Sequence, residues 1–590
     1  MHIIQSGSTL ILDMQLFAYK NNNKTTDTPI NEVSMAKVKV RTGKRYRSGR
    51  AAGHYDAIVV GSGIGGLANA ALLSLMGKKV CVLEQHYTAG GFTHAYDREG
   101  YEWDVGVHYI GEVHKPSSMK RIFDTISEGR LRWAAMDPVY DKIILGDKEY
   151  DFVAGRENFI DELSKHFPDE RANIERYVNL TRKISTLTPK FFAAQAMPKW
   201  LGRMYNWIRP LLVPKEFFQT TREVLEGITS NQELISVLTG QWGDYGQVPR
   251  DAAFLMHALI AKHYLAGGAY PVGGASSIAR EIIPTIQKSG DEVFTYAEVD
   301  KVLVKGDTCY GVKMANGDEI FGDVVFSNVG FMNTVKRLYP DALKAKHGVD
   351  KWLKADAIER SSASYCVYAG FKGTTEELGL DTTNLWIYPN GDHETNVDNF
   401  RAGKTDQLPL IYVSFPSSKD PEWDERYPNK STVEIVTVAN MDDYKQWDGT
   451  TWQQRGDDYE KKKDEVAKYL LERLFERKPQ LRAALDYYEI STPLSTQFYQ
   501  LNEEGEIYGL NHYVDRFKQT CLHPQTPIKN LYMTGADVMT AGVGGGLMGG
   551  VMSTMCMLGL KQGKAVMDLF KNYQEPKDDA KQTNKKQKAA

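Results

Sequence analysis

The stretch that decides the fold is HYDAIVVGSGIGGLANAALLSLMGKKVCVLEQHYTAGG, residues 54–91. A short apolar run leads into Gly61-x-Gly63-x-x-Gly66, an Ala- and Leu-rich segment follows, and a second apolar run stops at Glu84. This order predicts a strand, a glycine turn, a helix and a second strand that ends on an acidic residue. The pattern is typical of a Rossmann-type unit that binds a dinucleotide.

Each position has a physical role in that unit. Gly61 permits the tight turn, Gly63 lets backbone approach a pyrophosphate, and Gly66 lets the helix and strand pack closely. The first N–H groups of the helix and its positive dipole end then face the phosphates. Glu84 lies 23 residues after Gly61, where a carboxylate can accept hydrogen bonds from a ribose. The alternative is a glycine-rich turn that binds nothing.

Two further segments bear on which dinucleotide binds. A second glycine pair stands at 90–91, and NLYMTGAD at 530–537 is typical of a strand that ends on a glycine and an acidic residue. On these residues the chain resembles FAD-dependent oxidoreductases of the polyene desaturase and isomerase superfamily. In that superfamily a late Gly-x-Asp contacts the ribityl–pyrophosphate region, and the strand near Val299 would offer backbone to adenine. The resemblance implies FAD rather than NAD. The implied cofactor contacts are Gly61, Gly63, Gly65, Gly66, Glu84, Gly90, Gly91, Val299, Gly535 and Asp537.

A narrower resemblance runs through the middle of the chain. The blocks that carry it are LEQHYTAGG (83–91), YEWDVGVHYIG (101–111), HALIAKHYLAGGAYPVGG (257–274), FPSSKDPEWDERYP (415–428) and PLSTQFYQLNEEGEIYG (493–509). They resemble the retinol saturase (all-trans-retinol 13,14-reductase) family, over roughly residues 55–560. The resemblance implies a FAD-dependent oxidoreductase that saturates a C=C bond of a retinoid- or carotenoid-like polyene.

These patterns predict an α/β protein with a Rossmann-type, glutathione-reductase-like FAD-binding domain and an inserted α+β substrate domain. The predicted segments are a flexible extension at 1–54, the FAD-binding domain at 55–150, 270–335 and 525–572, the substrate domain at 151–269 and 336–524, and a disordered tail at 573–590.

Residues 538–560 form a stretch of 23 uncharged residues with small residues at GxxxG spacing, which also suits a membrane span. Its first half is rich in glycine, so we predict a glycine-rich turn beneath the flavin and a buried helix from about 546.

Residues 188–218 interleave Lys and Arg with Trp200, Trp207 and other apolar side chains. Aromatic rings beside cations suit a bilayer interface. The other interpretation is a cap whose aromatics face inward over an apolar pocket, and the two are compatible. We predict an amphipathic lid that contacts a membrane surface.

Composition narrows the classes further. A net charge of −3 gives no reason to expect nucleic acid. The five cysteines have no CxxC or metal spacing, so we expect reduced thiols, an intracellular protein and no metal site. Asp13 interrupts the early apolar patch, so we expect no secretory signal. Peripheral membrane association is expected from the segment at 188–218.

Saturating a C=C bond requires a hydride and a proton. The flavin supplies the hydride, and the proton needs a donor within hydrogen-bond reach. The candidate donors are His108, Tyr109, His257, His263, Tyr264 and Tyr270, of which we favour His108 and Tyr264. The electron donor is unknown, and NAD(P)H as an external reductant is one option.

Two other activities stay open. The same flavin can run a carotenoid desaturase or a cis–trans isomerase. A third possibility is a non-catalytic prenyl or lipid carrier, since Rab GDP dissociation inhibitors are similar in architecture and use no flavin.

Overall fold

Two large β-sheets organise the chain in the computed structural model, which describes residues 41–51 and 53–574. The strands are β1 Lys44–Arg45, β2 His54–Val60, β3 Val80–Leu83, β4 Ala95–Arg98, β5 Tyr101–Asp104, β6 Ile110–Gly111, β7 Trp133–Ala135, β8 Val139–Leu145, β9 Lys148–Val153, β10 Gly268–Pro271, β11 Glu292–Thr295, β12 Val299–Lys305, β13 Thr308–Met314, β14 Glu319–Ser327, β15 Ala363–Lys372, β16 Asn384–Tyr388, β17 Ile411–Ser414, β18 Lys430–Ala439, β19 Leu485–Ser491 and β20 Leu531–Met533.

Helices cover the sheets and connect their strands. They are α1 Ile64–Leu75, α2 Ser118–Ser127, α3 Arg156–His166, α4 Arg171–Phe191, α5 Lys199–Leu212, α6 Thr221–Glu226, α7 Gln232–Leu238, α8 Phe254–Tyr264, α9 Ser276–Gln287, α10 Phe331–Asn333, α11 Asp341–His347, α12 Val349–Leu353, α13 His393–Arg401, α14 Pro416–Lys419, α15 Trp423–Arg426, α16 Asp457–Arg477, α17 Leu481–Ala484, α18 Pro493–Gln500 and α19 Gly542–Asn572.

The first sheet is the predicted Rossmann unit. Its parallel strands run in the order β1-β11-β3-β2-β14, β20 adds to β14 in parallel, and β13 and β12 extend the sheet antiparallel. β2 and β3 are short apolar runs with almost every side chain buried, as expected of central parallel strands with both faces covered. The predicted α/β class is confirmed.

The second sheet has the order β19-β15-β18-β17-β16-β8-β9 and is antiparallel except where β16 meets β8. With α16 and its neighbours it encloses a separate apolar cluster. This sheet is the α+β part that was predicted as an insertion. Its side chains, together with α8, form one wall of the cavity described below.

Two predicted segment boundaries differ from the structure. β1 lies inside the predicted extension, yet it pairs with β11, and Tyr46 donates a hydrogen bond to Asp318 at 2.7 Å. β8 and β9 lie at 139–153, astride the predicted boundary at 150, and pair with β16 of the second sheet. Short strands that complete a distant sheet carry no local signal of which sheet they join. The predicted extension at 1–40 and the tail beyond 574 lie outside the described residues.

α19 begins at Gly542, about four residues before the predicted start. Part of the predicted glycine-rich turn is thus the start of this helix. Glycines also let the helix approach α1: an added Cβ on Gly550 would lie 2.4 Å from the Gly65 carbonyl oxygen. Non-helical backbone at Gly559 then kinks the helix. Within the described chain, α19 alone is long and apolar enough to span a membrane, and half of its apolar window is buried against protein. Core helices of soluble proteins can have the same length and apolar composition.

Candidate active site

The carboxyl ends of four parallel strands meet at one edge of the first sheet. Backbone hydrogen bonds tie them in series: Gly61 N to Leu83 O at 2.8 Å, Asn328 N to Val60 O at 2.8 Å, and Thr534 N to Ser327 O at 2.9 Å. Ligands of open α/β sheets bind at this edge. A cavity of about 730 Å³ opens here and continues to the second sheet.

The cavity gathers nearly all of the predicted site residues. Those that line it are Gly61, Gly63, Gly65, Glu84, Gly90, Gly91, His108, Tyr264, Val299, Gly535 and Asp537. Gly66 does not line the cavity, because it packs beneath the loop: an added Cβ would stand 2.2 Å from the Gly61 carbonyl oxygen. Its part is the close packing of helix and strand.

Two helix N-termini open onto this cavity. α1 follows Gly63 and α19 follows Ala541, and neither cap residue makes a side-chain hydrogen bond to the first turn. Residues of both first turns line the cavity. Unfilled N–H groups at a helix start attract anions. Both helix starts therefore suit groups of a ligand that carry negative charge, such as phosphate.

Asn328, at the end of β14, holds the glycine loops together. Its side-chain amide nitrogen lies 3.4 Å from the carbonyl oxygens of both Gly61 and Gly63. Added Cβ atoms on Gly65 and Gly535 would stand 2.8 and 2.4 Å from its Oδ1. The glycines thus make room both for a ligand and for this asparagine, which the sequence marked only as the end of a strand.

Glu84 is buried at the end of β3 with part of its carboxylate already engaged. Oε2 accepts hydrogen bonds from Ser62 N and Oγ at 2.9 and 2.7 Å, and Oε1 accepts one from His86 N at 2.8 Å. Ser62 Oγ also accepts the Gly90 amide at 3.1 Å. A carboxylate has about four acceptor positions, so one remains for a ribose hydroxyl.

Asp537 contacts two distant segments at the cavity wall, one at Phe331 and one at 510–516. Its Oδ2 accepts the Phe331 amide at 2.6 Å, and its Oδ1 accepts the Leu510 amide at 3.0 Å. The guanidinium of buried Arg516 lies 3.9 Å from Oδ1. Burial lowers the pKa of Arg516 to about 10, against the opposing effect of Asp537.

The far end of the cavity is aromatic. Tyr109 stacks on Tyr264 with ring centroids 4.1 Å apart, and Tyr412 and Trp386 line the same end. The Tyr264 hydroxyl lies 3.5 Å from the Tyr109 carbonyl oxygen, and burial raises the pKa of Tyr264 well above its usual value.

His108 is less suited to donate a proton than the sequence suggested. Its Nδ1 lies 2.7 Å from Glu434 Oε2. Burial, followed by the charge of Lys419, lowers the pKa of His108 to about 4, and burial raises that of Glu434 to about 8. At neutral pH the imidazole is neutral, and a neutral imidazole is a weak acid.

Two carboxylates beside Tyr109, those of Asp141 and Asp244, were not predicted from the sequence. The Tyr109 hydroxyl lies 2.9 Å from Asp141 Oδ2 and 3.3 Å from Asp244 Oδ2. Asp244 and Tyr109 line the cavity, and Asp141 lies behind them. The three residues belong to segments separated by up to 135 positions, so no local pattern announces the cluster.

Comparison with known proteins places the chain among named relatives. Residues 59–126 match the family model of an NAD(P)-binding Rossmann-like domain. An all-trans-retinol 13,14-reductase of Danio rerio is 36% identical over 513 residues, 84% of each chain. The chain belongs to the all-trans-retinol 13,14-reductase family. A second Danio rerio member of that family, named as inactive, is 32% identical over 86% of each chain. Prolycopene isomerase 1 of an Oncidium hybrid cultivar is 26% identical over 82% of this chain and 80% of its own.

Solved structures support the fold of this retinol reductase family member. An oxidoreductase from Methanosarcina mazei matches with a TM-score of 0.55 and 18% identity, over 85% of this chain and 99% of its own. A putrescine oxidase also matches at 0.55, with 14% identity over 88% and 99%. The predicted fold is thereby confirmed. The predicted oxidoreductase class is confirmed by membership of the reductase family.

Proposed function

We propose that the protein is a FAD-dependent oxidoreductase that saturates one C=C bond of a retinoid-like polyene. The observation that carries the proposal is the continuity of the cavity, which has glycines and two helix N-termini at one end and aromatic rings at the other. Its volume of about 730 Å³ lies within the range of cofactor and substrate sites. Membership of the retinol reductase family supports the substrate class.

The residues fit FAD. The α1 N-terminus and Gly63 would bind the pyrophosphate, Glu84 the ribose, Val299 the adenine, and the α19 N-terminus the flavin end. When bound, the reduced flavin supplies a hydride. Tyr264, Tyr412 and other rings at the aromatic end would pack on the polyene and exclude water. Asp537 would hold the cavity wall in place.

The deciding experiment follows the product by mass. Purified protein is reduced anaerobically and mixed with all-trans-retinol or with a carotenoid. The mass of the product is then measured by mass spectrometry. Gain of two hydrogens supports the proposal, loss of two identifies a desaturase, and an unchanged mass with a new isomer identifies an isomerase. Since one named relative is inactive and another is an isomerase, this assay discriminates where similarity does not. A colourless protein that binds retinoid and refuses FAD would identify a carrier.

Reduction of the bound flavin, followed by its absorbance, tests which reductant the protein uses. The described chain has one dinucleotide-type glycine loop at the start of a β–α–β unit, and FAD would occupy it. NAD(P)H is therefore proposed as an external electron donor. Reduction of the bound flavin by NADH or NADPH without a partner protein supports direct transfer. Reduction by dithionite alone points to a separate electron carrier.

We further propose that α5 docks on a membrane surface. Its exposed side chains recur at helical spacing along one stripe: Trp200, Met204, Trp207, Ile208, Leu211 and Leu212. Trp207 and Leu211 are each 86% exposed. The exposed Arg203 flanks the stripe, which suits a bilayer interface. Phe191, Phe192 and Phe217 instead face inward, and Phe192 lines the cavity, so the segment serves as cap as well as anchor.

Replacing three of the exposed side chains should release the protein from vesicles. In Trp200→Ser/Trp207→Ser/Leu211→Ser, each lost side chain removes up to about 2 kcal/mol of apolar burial. We expect at least about a tenfold loss of vesicle-bound protein, with flavin content and thermal midpoint unchanged. The matched control is Tyr310→Ser/Phe321→Ser, an exposed apolar pair on β13 and β14. Equal flotation of the triple variant and wild type in anionic vesicles would exclude α5 as the anchor.

A further inference from the structure

The hydrogen bonds that link Asp141, Tyr109 and Asp244 require one more proton than the Tyr109 phenol supplies. A phenol has a single proton, yet the Tyr109 hydroxyl lies within hydrogen-bond distance of a carboxyl oxygen on each side. One contact is donated by Tyr109. The other contact holds only if that carboxyl is protonated and donates to the phenol oxygen.

The surroundings decide which carboxyl carries the proton. Asp141 Oδ2 also accepts from Gln241 Nε2 at 2.6 Å, and Asp141 Oδ1 accepts from Asn384 Nδ2 at 2.9 Å. These donors favour the ionised form of Asp141. Asp244 makes its carboxyl contact with Tyr109 alone among the described hydrogen bonds. Two nearby carboxylates with one shared partner cannot both ionise cheaply.

We propose that Asp244 is the proton donor of the reaction and that the Asp141–Tyr109 pair positions it. The proposal rests on the proposed function, since the proton needs an acceptor carbon in the cavity that Asp244 lines. Asp244 donates to Tyr109, and Tyr109 donates to the Asp141 carboxylate. Asp244 is thus a neutral acid at the cavity wall, and its proton must leave the Tyr109 hydrogen bond to reach the substrate. The Asp141 charge stays behind the wall.

The proposed step adds one hydride and one proton across the double bond. One carbon of the double bond takes the hydride that the reduced flavin supplies. The π electron pair forms a second C–H bond with the Asp244 proton, which leaves Asp244 as a carboxylate. The nearby Asp141 carboxylate then repels that charge, so Asp244 recovers a proton from water that enters once the product has left. Tyr109 keeps its own proton throughout.

Electrostatics agree with this geometry. Burial, then the charge of Asp141, raises the pKa of Asp244 well above its usual value, while burial raises that of Asp141 to about 6. Titratable side chains also face the cluster from neighbouring elements. They are Tyr245, Tyr264, Tyr388, Tyr412 and Tyr508 around Asp244, and the Lys419 ammonium on the Asp141 side.

Infrared difference spectroscopy tests the proton position without any turnover. On the oxidised, flavin-loaded protein, the wild type minus Asp244→Asn spectrum should contain the carbonyl band of a protonated carboxylic acid. The wild type minus Asp141→Asn spectrum should contain carboxylate bands instead. The control Asp291→Asn removes a buried carboxylate held by two serine hydroxyls outside the cavity. Absence of the acid band from the Asp244 difference spectrum overturns the proposal, whatever the substrate proves to be.

Single-turnover oxidation of the reduced protein by all-trans-retinol tests the role. Asp244→Asn should slow the step at least about a hundredfold, with retinoid affinity unchanged. Because Asp244 donates only while protonated, the wild-type rate should fall as pH rises through its pKa. Removing the Asp141 charge lowers that pKa, so Asp141→Asn should move the fall to lower pH. Weaker retinoid binding at an unchanged rate would make Asp244 an anchor for the substrate hydroxyl and overturn the proposal. No turnover by wild type, with the infrared band present, refutes the proposed function instead.

Discussion

Gly66→Ala is expected to abolish flavin binding and to destabilise the fold by about 3 kcal/mol, the upper part of the usual range for overpacking. The alanine Cβ would stand 2.2 Å from the Gly61 carbonyl oxygen and 3.2 Å from Val59 Cγ1. The oxygen belongs to backbone and cannot rotate away. Relief requires that α1 move off β2, which displaces the loop that would bind the pyrophosphate.

Flavin absorbance and urea denaturation measure the two effects of Gly66→Ala. Gly227→Ala is the matched control, because its φ of −75° suits alanine and the nearest atom to the new Cβ is 3.3 Å away. That variant should retain its flavin and lose little stability. A Gly66→Ala protein with wild-type flavin content and an unchanged urea midpoint would contradict the packing role assigned to this glycine.

Asp537→Asn should reduce stability by about 3 kcal/mol, the cost of leaving a buried charge without its partner. The asparagine NH₂ would face the N–H of either Phe331 or Leu510, since both now donate to the carboxylate. Arg516 would lose the anion at 3.9 Å. The loops at 328–331 and 509–511 would then separate, and flavin content should fall with stability.

The measurements are again the free energy of unfolding in urea and the flavin-to-protein ratio. Asp291→Asn serves as control, because its hydroxyl partners Ser74 and Ser289 can rotate to suit an amide. It should lose about 1 kcal/mol. Full flavin occupancy together with an unchanged unfolding free energy in Asp537→Asn would show that the clamp is dispensable.

Local pattern was sufficient for the Rossmann unit. The apolar runs of β2 and β3, the glycine loop and Glu84 lie within 31 consecutive positions, and each meets its partner nearby in sequence. The late Gly535 and Asp537 were found through resemblance, and they do reach the same cavity. Their actual hydrogen bonds, to Phe331 and Leu510 for Asp537, were invisible because those partners have no distinguishing side-chain chemistry at the contact.

The predicted segment boundaries differ from the structure where a strand pairs with another strand far away in the sequence. β1 joins the first sheet through backbone hydrogen bonds to residues about 250 positions away, and β8 joins the second sheet in the same manner. The stop of β2, in contrast, is set by Gly61 itself, whose φ of +93° ends an extended strand.

The sequence by itself determined that a glycine turn between two apolar strands would create an anion-attracting helix start, since turn, helix and strand preferences act between neighbours in the chain. Only the tertiary structure decided which acid lies at the aromatic end of the cavity. Asp141, Tyr109 and Asp244 acquire their chemistry from one another and from burial. Their mutual contacts and their burial depend on a fold that brings together three separate segments. Neither the contacts nor the burial is a property of any residue alone.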